Sequence, residues 1–352
     1  MMLRAGLIGC GFISEKHLKT MSRLGEMSLT AVSDLRQERM EAAVKFYQNQ
    51  DKQMAISQYT DYHDLLEARN IDIVIISVIS GLHAEIAIRA LQKGKHVIIE
   101  KPLALSLQDA NRIIELAKKH HKKVLVCHQL RYKPMLHKLK ELLQKGYFGE
   151  PYFGMVSLRL NRSPEYFSSA AWKGTWEKDG GMLINQGIHM IDLLVWLMGD
   201  VKSVYGEIAT NEENKEIEDV ATGIVTFNNH AKGLIEANTI TKPKNLGYCL
   251  SIFARKGAIC LGGKGLNKIK HCYLDDYPDL KQDLLALGEE PDEHYRMYQD
   301  FLRAIREDSE HLMTPKEGKK ALETIFALYQ ANNSQKPTTL PMNDFSTKEM
   351  LE

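Results

Sequence analysis

Leu3-Arg4-Ala5-Gly6-Leu7-Ile8-Gly9-Cys10-Gly11-Phe12-Ile13-Ser14 couples a short apolar run to two glycines and a stretch that turns helical near Ser14. The run reads as a buried strand that feeds the glycines directly. Gly9 suits a tight turn, Gly11 lets the backbone approach a pyrophosphate, and the free N–H groups of the next helix favour an anion. Ser14 stands where the fingerprint has its third glycine, a position that needs a small residue for helix–strand packing. A second run, Ser28 to Ser33, ends at Asp34, at the separation a dinucleotide site requires. Gly9, Gly11, Phe12, Ile13, Ser14 and Asp34 are therefore the expected cofactor residues. The carboxylate favours NAD by accepting from ribose hydroxyls, while Arg36 and Arg39 just beyond it keep NADP as the alternative.

Helical patterns at Leu35–Tyr47, Asp61–Arg69, His83–Lys93 and from Ser106 onward alternate with apolar runs at Ile71–Val78, Val97–Ile99 and Lys123–Cys127. Alternation of this kind predicts an α/β fold, a parallel sheet with helices on both faces. Val97–Ile99 stops at Glu100-Lys101-Pro102, which places Lys101 at the carboxyl end of a strand, where open α/β sheets bind ligands. Pro102 holds that lysine in a stiff turn.

A chain of 352 residues suits two domains, expected here as 1–128 for the cofactor and 129–352 for substrate and oligomerisation. A net charge of +1 gives no electrostatic case for nucleic acid or an anionic membrane. There is no apolar run long enough to span a bilayer and no signal-peptide pattern, so a cytoplasmic location is expected. Five scattered cysteines argue for reduced, packed thiols and against a disulfide framework or a zinc site; no metal is expected.

Gly9-Cys10-Gly11-x-x-Ser14-x-x-His17, Ser80-Gly81-Leu82-His83, Gly94-Lys95-His96-Val97 and Glu100-Lys101-Pro102, in this order, resemble the glucose-fructose oxidoreductase, inositol dehydrogenase and rhizopine-catabolism (Gfo/Idh/MocA) family of NAD(P)-dependent oxidoreductases. Ile79 departs from the proline usual before the loop near the nicotinamide. The resemblance implies that Lys101 hydrogen-bonds the substrate hydroxyl and helps position the nicotinamide. It also adds Ser77, Glu100, Lys101 and Gln129 to the cofactor set. His83 either lines the cofactor cleft or caps its helix.

Beyond Cys127 a polar turn, Gln129 to Pro134, leads to an amphipathic helix, Pro134–Lys145. Alternating runs at Tyr152–Leu160, Val201–Ala209, Val220–Phe227, Lys232–Thr239 and Tyr248–Ala254 then predict an α+β second domain with an open, mostly antiparallel sheet. In the resembled family that sheet is the oligomer surface, so a homodimer or homotetramer is expected. Between the first two runs lies Gly180-Gly181-Met182-Leu183-Ile184-Asn185-Gln186-Gly187-Ile188-His189-Met190-Ile191-Asp192. Asn185, His189 and Asp192 fall at i, i+4 and i+7, one polar stripe on an otherwise apolar helix. The resemblance puts this helix at the nicotinamide. His189 is the expected base, since imidazole titrates near neutrality. Asn185 stands where many relatives carry aspartate; an amide is no base, so it is expected to orient a hydroxyl, and Asp192 to be structural.

Arg159–Phe167 and Trp172–Asp179 combine cations with aromatics and, with Asn185–His189, resemble the subgroup that oxidises the 3-hydroxyl of UDP-N-acetylglucosaminuronic acid. Arg131, Arg159, Arg162, Tyr166 and Trp172 join Lys101, Asn185 and His189 as expected substrate residues, with Lys173 a further cation near that substrate's oxyanions. An inositol or another free sugar is the alternative substrate, and a cofactor-bound sensor without turnover the alternative of another class. At an ordinary lysine pKa Lys101 stays protonated, so it suits donation to the reacting oxygen. Helices are expected from Asp292 through Glu307 and from Thr314-Pro315 through Ala331; His294 matches a position near the substrate in the resembled family but is expected as a solvated histidine at a helix start. Lys270–Pro291 shows no nameable chemistry and reads as a lid or an oligomer contact.

Overall fold

The computed structural model describes residues 2–50, 55–213, 215–263, 265–287 and 292–351. The chain forms two compact units, one of residues 1–129 with 291–318 and one of 130–290 with 319–352. The expected cut near 128 thus lacks a returning segment: 291–318 groups with the first unit. The reason is apolar and polar fit within that unit. The helix Glu293–Arg306 buries Met297, Tyr298 and Phe301, and Arg23 pairs with Asp292.

Six strands build the first sheet: β1 Leu3–Ile8, β2 Met27–Ser33, β3 Ser57–Tyr59, β4 Ile73–Ile76, β5 His96–Ile99 and β6 Val124–Val126. Their order is β3-β2-β1-β4-β5-β6, all parallel. The chain reverses its direction of travel across the sheet between β1 and β4, beside the glycine loop that follows β1. The four residues of β4 are wholly buried, which requires cover on both faces and explains their unbroken Ile-Val-Ile-Ile character. Capping fixed the intervening helices: Asp61 accepts from the His63 N–H, and the Ser106 hydroxyl accepts from the Asp109 N–H. The β6 edge is covered by the returning segment, where Val126 N–H donates to Met313 O and His311 reaches Val124 O.

The second unit holds β7 Pro151–Arg159, β8 Val201–Ala209, β9 Val220–Phe227, β10 Lys232–Asn238, β11 Gly247–Ala254, β12 Gly257–Gly263, β13 Lys268–Leu274 and β14 Thr338–Thr339. Their order is β13-β12-β11-β7-β10-β9-β8-β14, antiparallel except for β7 beside β10. β12, β13 and β14 extend the sheet beyond the five expected strands. Most of Lys270–Pro291 is accordingly the end of β13 and the helix Leu280–Ala286, while 288–291 lie outside the described residues. One face carries the helix Ile188–Met198. Gly154 permits this packing, because a Cβ there would sit 2.9 Å from Leu194 and 2.8 Å from Met198. On the opposite face, cross-strand register aligns Tyr205, Ile224, Leu234, Met155, Ser251 and Cys260 in one row. Ile224, Phe253 and Tyr273 on that face are exposed.

Candidate functional site

In the first unit, the loop from Gly9 joins β1 to the helix Ser14–Ser22. Gly9 has φ +91°, and a Cβ would lie 2.6 Å from Ser77 O, so no side chain is tolerated. The Ser77 hydroxyl donates to Gly9 O at 2.7 Å, and Gly9 N–H donates to Ser33 O at 2.8 Å. Asp34 completes the loop: its carboxylate accepts from Cys10 N–H at 2.8 Å and from Arg36 N–H at 3.0 Å. Each oxygen keeps lone-pair capacity for a ribose hydroxyl. Space beside Gly11 is open, with nothing within 4 Å of a built Cβ. Ser14 is 2 % exposed and bonds Gly11 O, as close packing at the third fingerprint position demands. Two apolar side chains flank this loop in solvent, Phe12 at 96 % and Leu35 at 91 % exposure. Leu35 was not foreseen; its signal was an apolar residue directly after Asp34 at a polar helix start.

At the end of β5, Glu100 is buried and accepts from His17 at 3.0 Å and from the Lys101 N–H at 3.2 Å. Burial alone would raise its pKa, but the bond and charge of His17 and the charge of Lys101 hold it down, at about 2. His17 in turn meets the Tyr298 hydroxyl at 2.7 Å. His294 packs edge-on to His17 and is 6 % exposed, with burial lowering its pKa to about 4. The expectation of a solvated His294 is therefore corrected: the helix it opens lies against the first unit. His17, Glu100 and Cys127 bring ligand-type atoms within 4.8 Å of one another, yet His17 and Glu100 are already engaged with each other. His83, 1 % exposed, lies 2.7 Å from Pro102 O and 3.2 Å from Val78 O. Burial depresses its pKa, so the neutral ring gives its N–H to the closer carbonyl and braces the turn that carries Lys101. Lys101 itself is half-buried, and Gln129 opens a short 3-10 turn with the same intermediate exposure.

In the second unit the expected α-helix begins as a π-turn, Leu183–Gly187, and becomes α only over Ile188–Met198. A π-turn inserts one residue, so Asn185 leaves the straight i, i+4, i+7 stripe. The Asn185 amide donates to Asp179 at 2.5 Å, and Asp179, 1 % exposed, also accepts from Gly174 N–H. His189 lies half-buried on the first turn of the α segment. Asp192 forms a two-bond ion pair with Arg131, at 2.9 and 2.7 Å, with both side chains essentially inaccessible. Arg131, expected as a substrate cation, is thus placed as a buried partner of Asp192, in a 3-10 turn that also buries Tyr132. Arg159, also expected near the substrate, lies elsewhere in the second unit. It alternates with Met155 and Ser157 on the sheet face away from the site helix and binds Glu236 at 2.8 and 2.6 Å. Arg162 and Lys173 do come together, 5.2 and 4.2 Å from the Tyr166 ring centre, with Trp172 5.8 Å from the Lys173 ammonium.

Residues 3–128 match a family model for the NAD-binding Rossmann fold of an oxidoreductase family, and residues 136–260 match the GFO/IDH/MocA C-terminal domain. This chain belongs to the Gfo/Idh/MocA family. Among solved structures, the WlbA dehydrogenase of Chromobactrium violaceum, in complex with NADH and UDP-GlcNAcA, is 31 % identical and covers 97 % of both chains, with a TM-score of 0.90. The WlbA dehydrogenase of Bordetella pertussis is 29 % identical over 97 % of this chain and all of its own, with a TM-score of 0.86. A myo-inositol 2-dehydrogenase of Thermotoga maritima is 29 % identical over 264 residues, 73 % of this chain and 74 % of its own. As a Gfo/Idh/MocA member the protein is an NAD-dependent dehydrogenase. The glycine cradle fits the cofactor: Gly9, Gly11 and the first N–H groups of Ser14–Ser22 would hold its diphosphate, and Asp34 its ribose. Bound NAD supplies the hydride acceptor.

Proposed function

We propose that the protein oxidises a sugar hydroxyl to a ketone, and that the sugar is UDP-N-acetylglucosaminuronic acid, reacting at its 3-hydroxyl. The observation that carries this reading is full-length likeness to the two WlbA dehydrogenases, whose complexes hold NADH and UDP-GlcNAcA. The chemistry of the second unit supports it. Arg162 Nε is buried with no hydrogen-bond partner among the described residues, a donor that a phosphate or carboxylate oxygen would satisfy. Lys173 lies over the same tyrosine as Arg162. In this reading Lys101 donates to the substrate oxygen, His189 takes the hydroxyl proton, and Asn185, aligned by Asp179, orients a neighbouring group. The substrate carbon gives up its hydrogen as hydride and the oxygen becomes the ketone.

The test is NAD reduction with UDP-N-acetylglucosaminuronic acid and, in parallel, with inositols. Turnover of the nucleotide sugar that falls in Lys101→Met and His189→Ala is expected; reduction with inositols alone would sink the nucleotide-sugar assignment. The second reading, an inositol or free-sugar dehydrogenase, rests on likeness to the Thermotoga maritima enzyme. A free polyol carries no anion, so it gives Arg162 no oxyanion to pair with. We also propose that the protein is a cytoplasmic homo-oligomer whose apolar sheet face, bearing Ile224 and Phe253, meets another copy. A monomer by light scattering at micromolar concentration would overturn the oligomer.

A further inference from the structure

We infer that Glu218 and Tyr329 are positioning residues that fix the π-turn that carries Asn185 and leads into the helical turn bearing His189. This inference rests on the roles given to those two residues under Proposed function. Glu218 precedes β9 and is 0 % exposed. One carboxyl oxygen, Oε1, accepts both the Leu183 N–H at 2.8 Å and the Tyr329 hydroxyl at 2.6 Å. Leu183 is the first residue of the π-turn, so this bond satisfies an N–H that the start of a helix leaves without a carbonyl partner. Tyr329, also 0 % exposed, comes from the helix Pro315–Ser334 and stands edge-on to Trp176 with ring centres 5.2 Å apart.

The clamp leaves no room for error on its near side. Gly181 has φ +115°, and a Cβ there would lie 2.2 Å from the Tyr329 oxygen, 2.7 Å from the Trp176 ring and 3.0 Å from Glu218 Oε2. Chain entry into the π-turn is thus pressed against the hydrogen-bonded Glu218–Tyr329 pair and the Trp176 ring packed beside it. From within the segment, Asp179 ties Gly174 N–H and the Asn185 amide together. A π-turn is an unfavourable insertion in an α-helix and persists where its surroundings dictate it. Glu218 and Tyr329 dictate it from outside, and Asp179 sets the amide that emerges from it. Neither Glu218 nor Tyr329 touches the reacting atoms; each acts through backbone position.

Because both donors converge on Oε1, Glu218→Gln keeps the acceptor while Glu218→Ala removes it. The experiment compares these with Tyr329→Phe in the full-length protein. It measures kcat, KM for the sugar, NAD affinity and hydrogen exchange of the Leu183 amide. Glu218→Ala is expected to speed exchange at Leu183 and to lower kcat by about 10- to 100-fold, the scale of loss when reacting groups move by an ångström. NAD affinity should stay as in the parent. Glu218→Gln should restore both exchange and kcat to within about threefold, with Tyr329→Phe between the two. Faster exchange with unchanged kcat, or a Glu218→Gln protein as impaired as Glu218→Ala, would overturn the inference. A parent protein that oxidises no sugar would overturn the function and this role with it. An active parent whose kcat ignores Glu218→Ala would overturn only the role.

Discussion

Replacing Arg131 with methionine asks whether this cation serves the ligand or the core. Arg131 and Asp192 are inaccessible to solvent, meet through two bonds of 2.9 and 2.7 Å, and pack with the guanidinium 5.3 Å from the Trp196 ring centre. Arg131→Met takes from a buried carboxylate the guanidinium that holds it by two hydrogen bonds, a loss of roughly 3–5 kcal/mol. Arg131→Met with Asp192→Leu removes both charges and is expected to recover most of that loss, since a well-packed apolar pair of similar volume is often neutral or better. All three tryptophans, Trp172, Trp176 and Trp196, lie in the second unit, so urea unfolding followed by tryptophan fluorescence reports on that unit alone. With a slope near ~2 kcal/mol per molar urea, the single variant should unfold roughly 2 M earlier. A single variant that loses less than about 1 kcal/mol, the scale of an exposed pair, or a double variant no more stable than the single, would refute the argument.

Burial pushes the Glu218 carboxyl up to about 7 against an ordinary value of 4.5. Its protonated form is thus favoured by folding, so the stability it lends is full below pH 4.5 and fades as pH rises to 7, by roughly 3 kcal/mol. Stability of Glu218→Gln should fall less than the parent's across that window in chemical denaturation, and parallel curves would count against it. Glu100, held down at about 2, works in the opposite sense: its contribution is present above pH 4.5 and drains away toward pH 2. Glu100→Gln should therefore blunt acid unfolding below 4.5 and leave the higher window alone. Gly9→Ala forces a side chain onto Ser77 O at a positive φ and should weaken NAD binding at least about tenfold by calorimetry, whereas unaltered affinity would discredit the cradle. Arg162→Ala should raise KM for a nucleotide sugar by about tenfold or more and leave that for an inositol unmoved.

Legibility followed the range of the signal. The glycine loop, Asp34, the alternating elements and the Ser106 cap are local, each written within a few residues, and the parallel sheet stands as expected, with the short edge strand β3 added to the five strands read from the sequence. Arg131 was unreadable because its partner lies 61 positions away, and a cation between Leu130 and Tyr132 looks the same whether it faces solvent or a carboxylate. The π-turn was invisible for another reason: periodicity assumes a constant turn, and one inserted residue rotates Asn185 without altering composition. β13 was missed because both its faces are largely polar, as Lys268-Ile269-Lys270-His271 shows, leaving little alternation to detect. Glu218 carries no local signal and Asp179 none beyond closing the stretch from Trp172; both gain meaning only from the N–H groups that reach them.

The return of residues 291–318 to the first unit has a consequence for biosynthesis. When the ribosome has made β6, Val124 and Val126 still lack His311 and Met313, and His17 lacks Tyr298. Roughly 170 to 190 residues, including nearly the whole second sheet, must be translated first. At ordinary elongation rates this is a delay on the order of ten to thirty seconds. During it the nascent nucleotide-binding layer waits with one strand edge open, the kind of surface that chaperones cover and other chains invade.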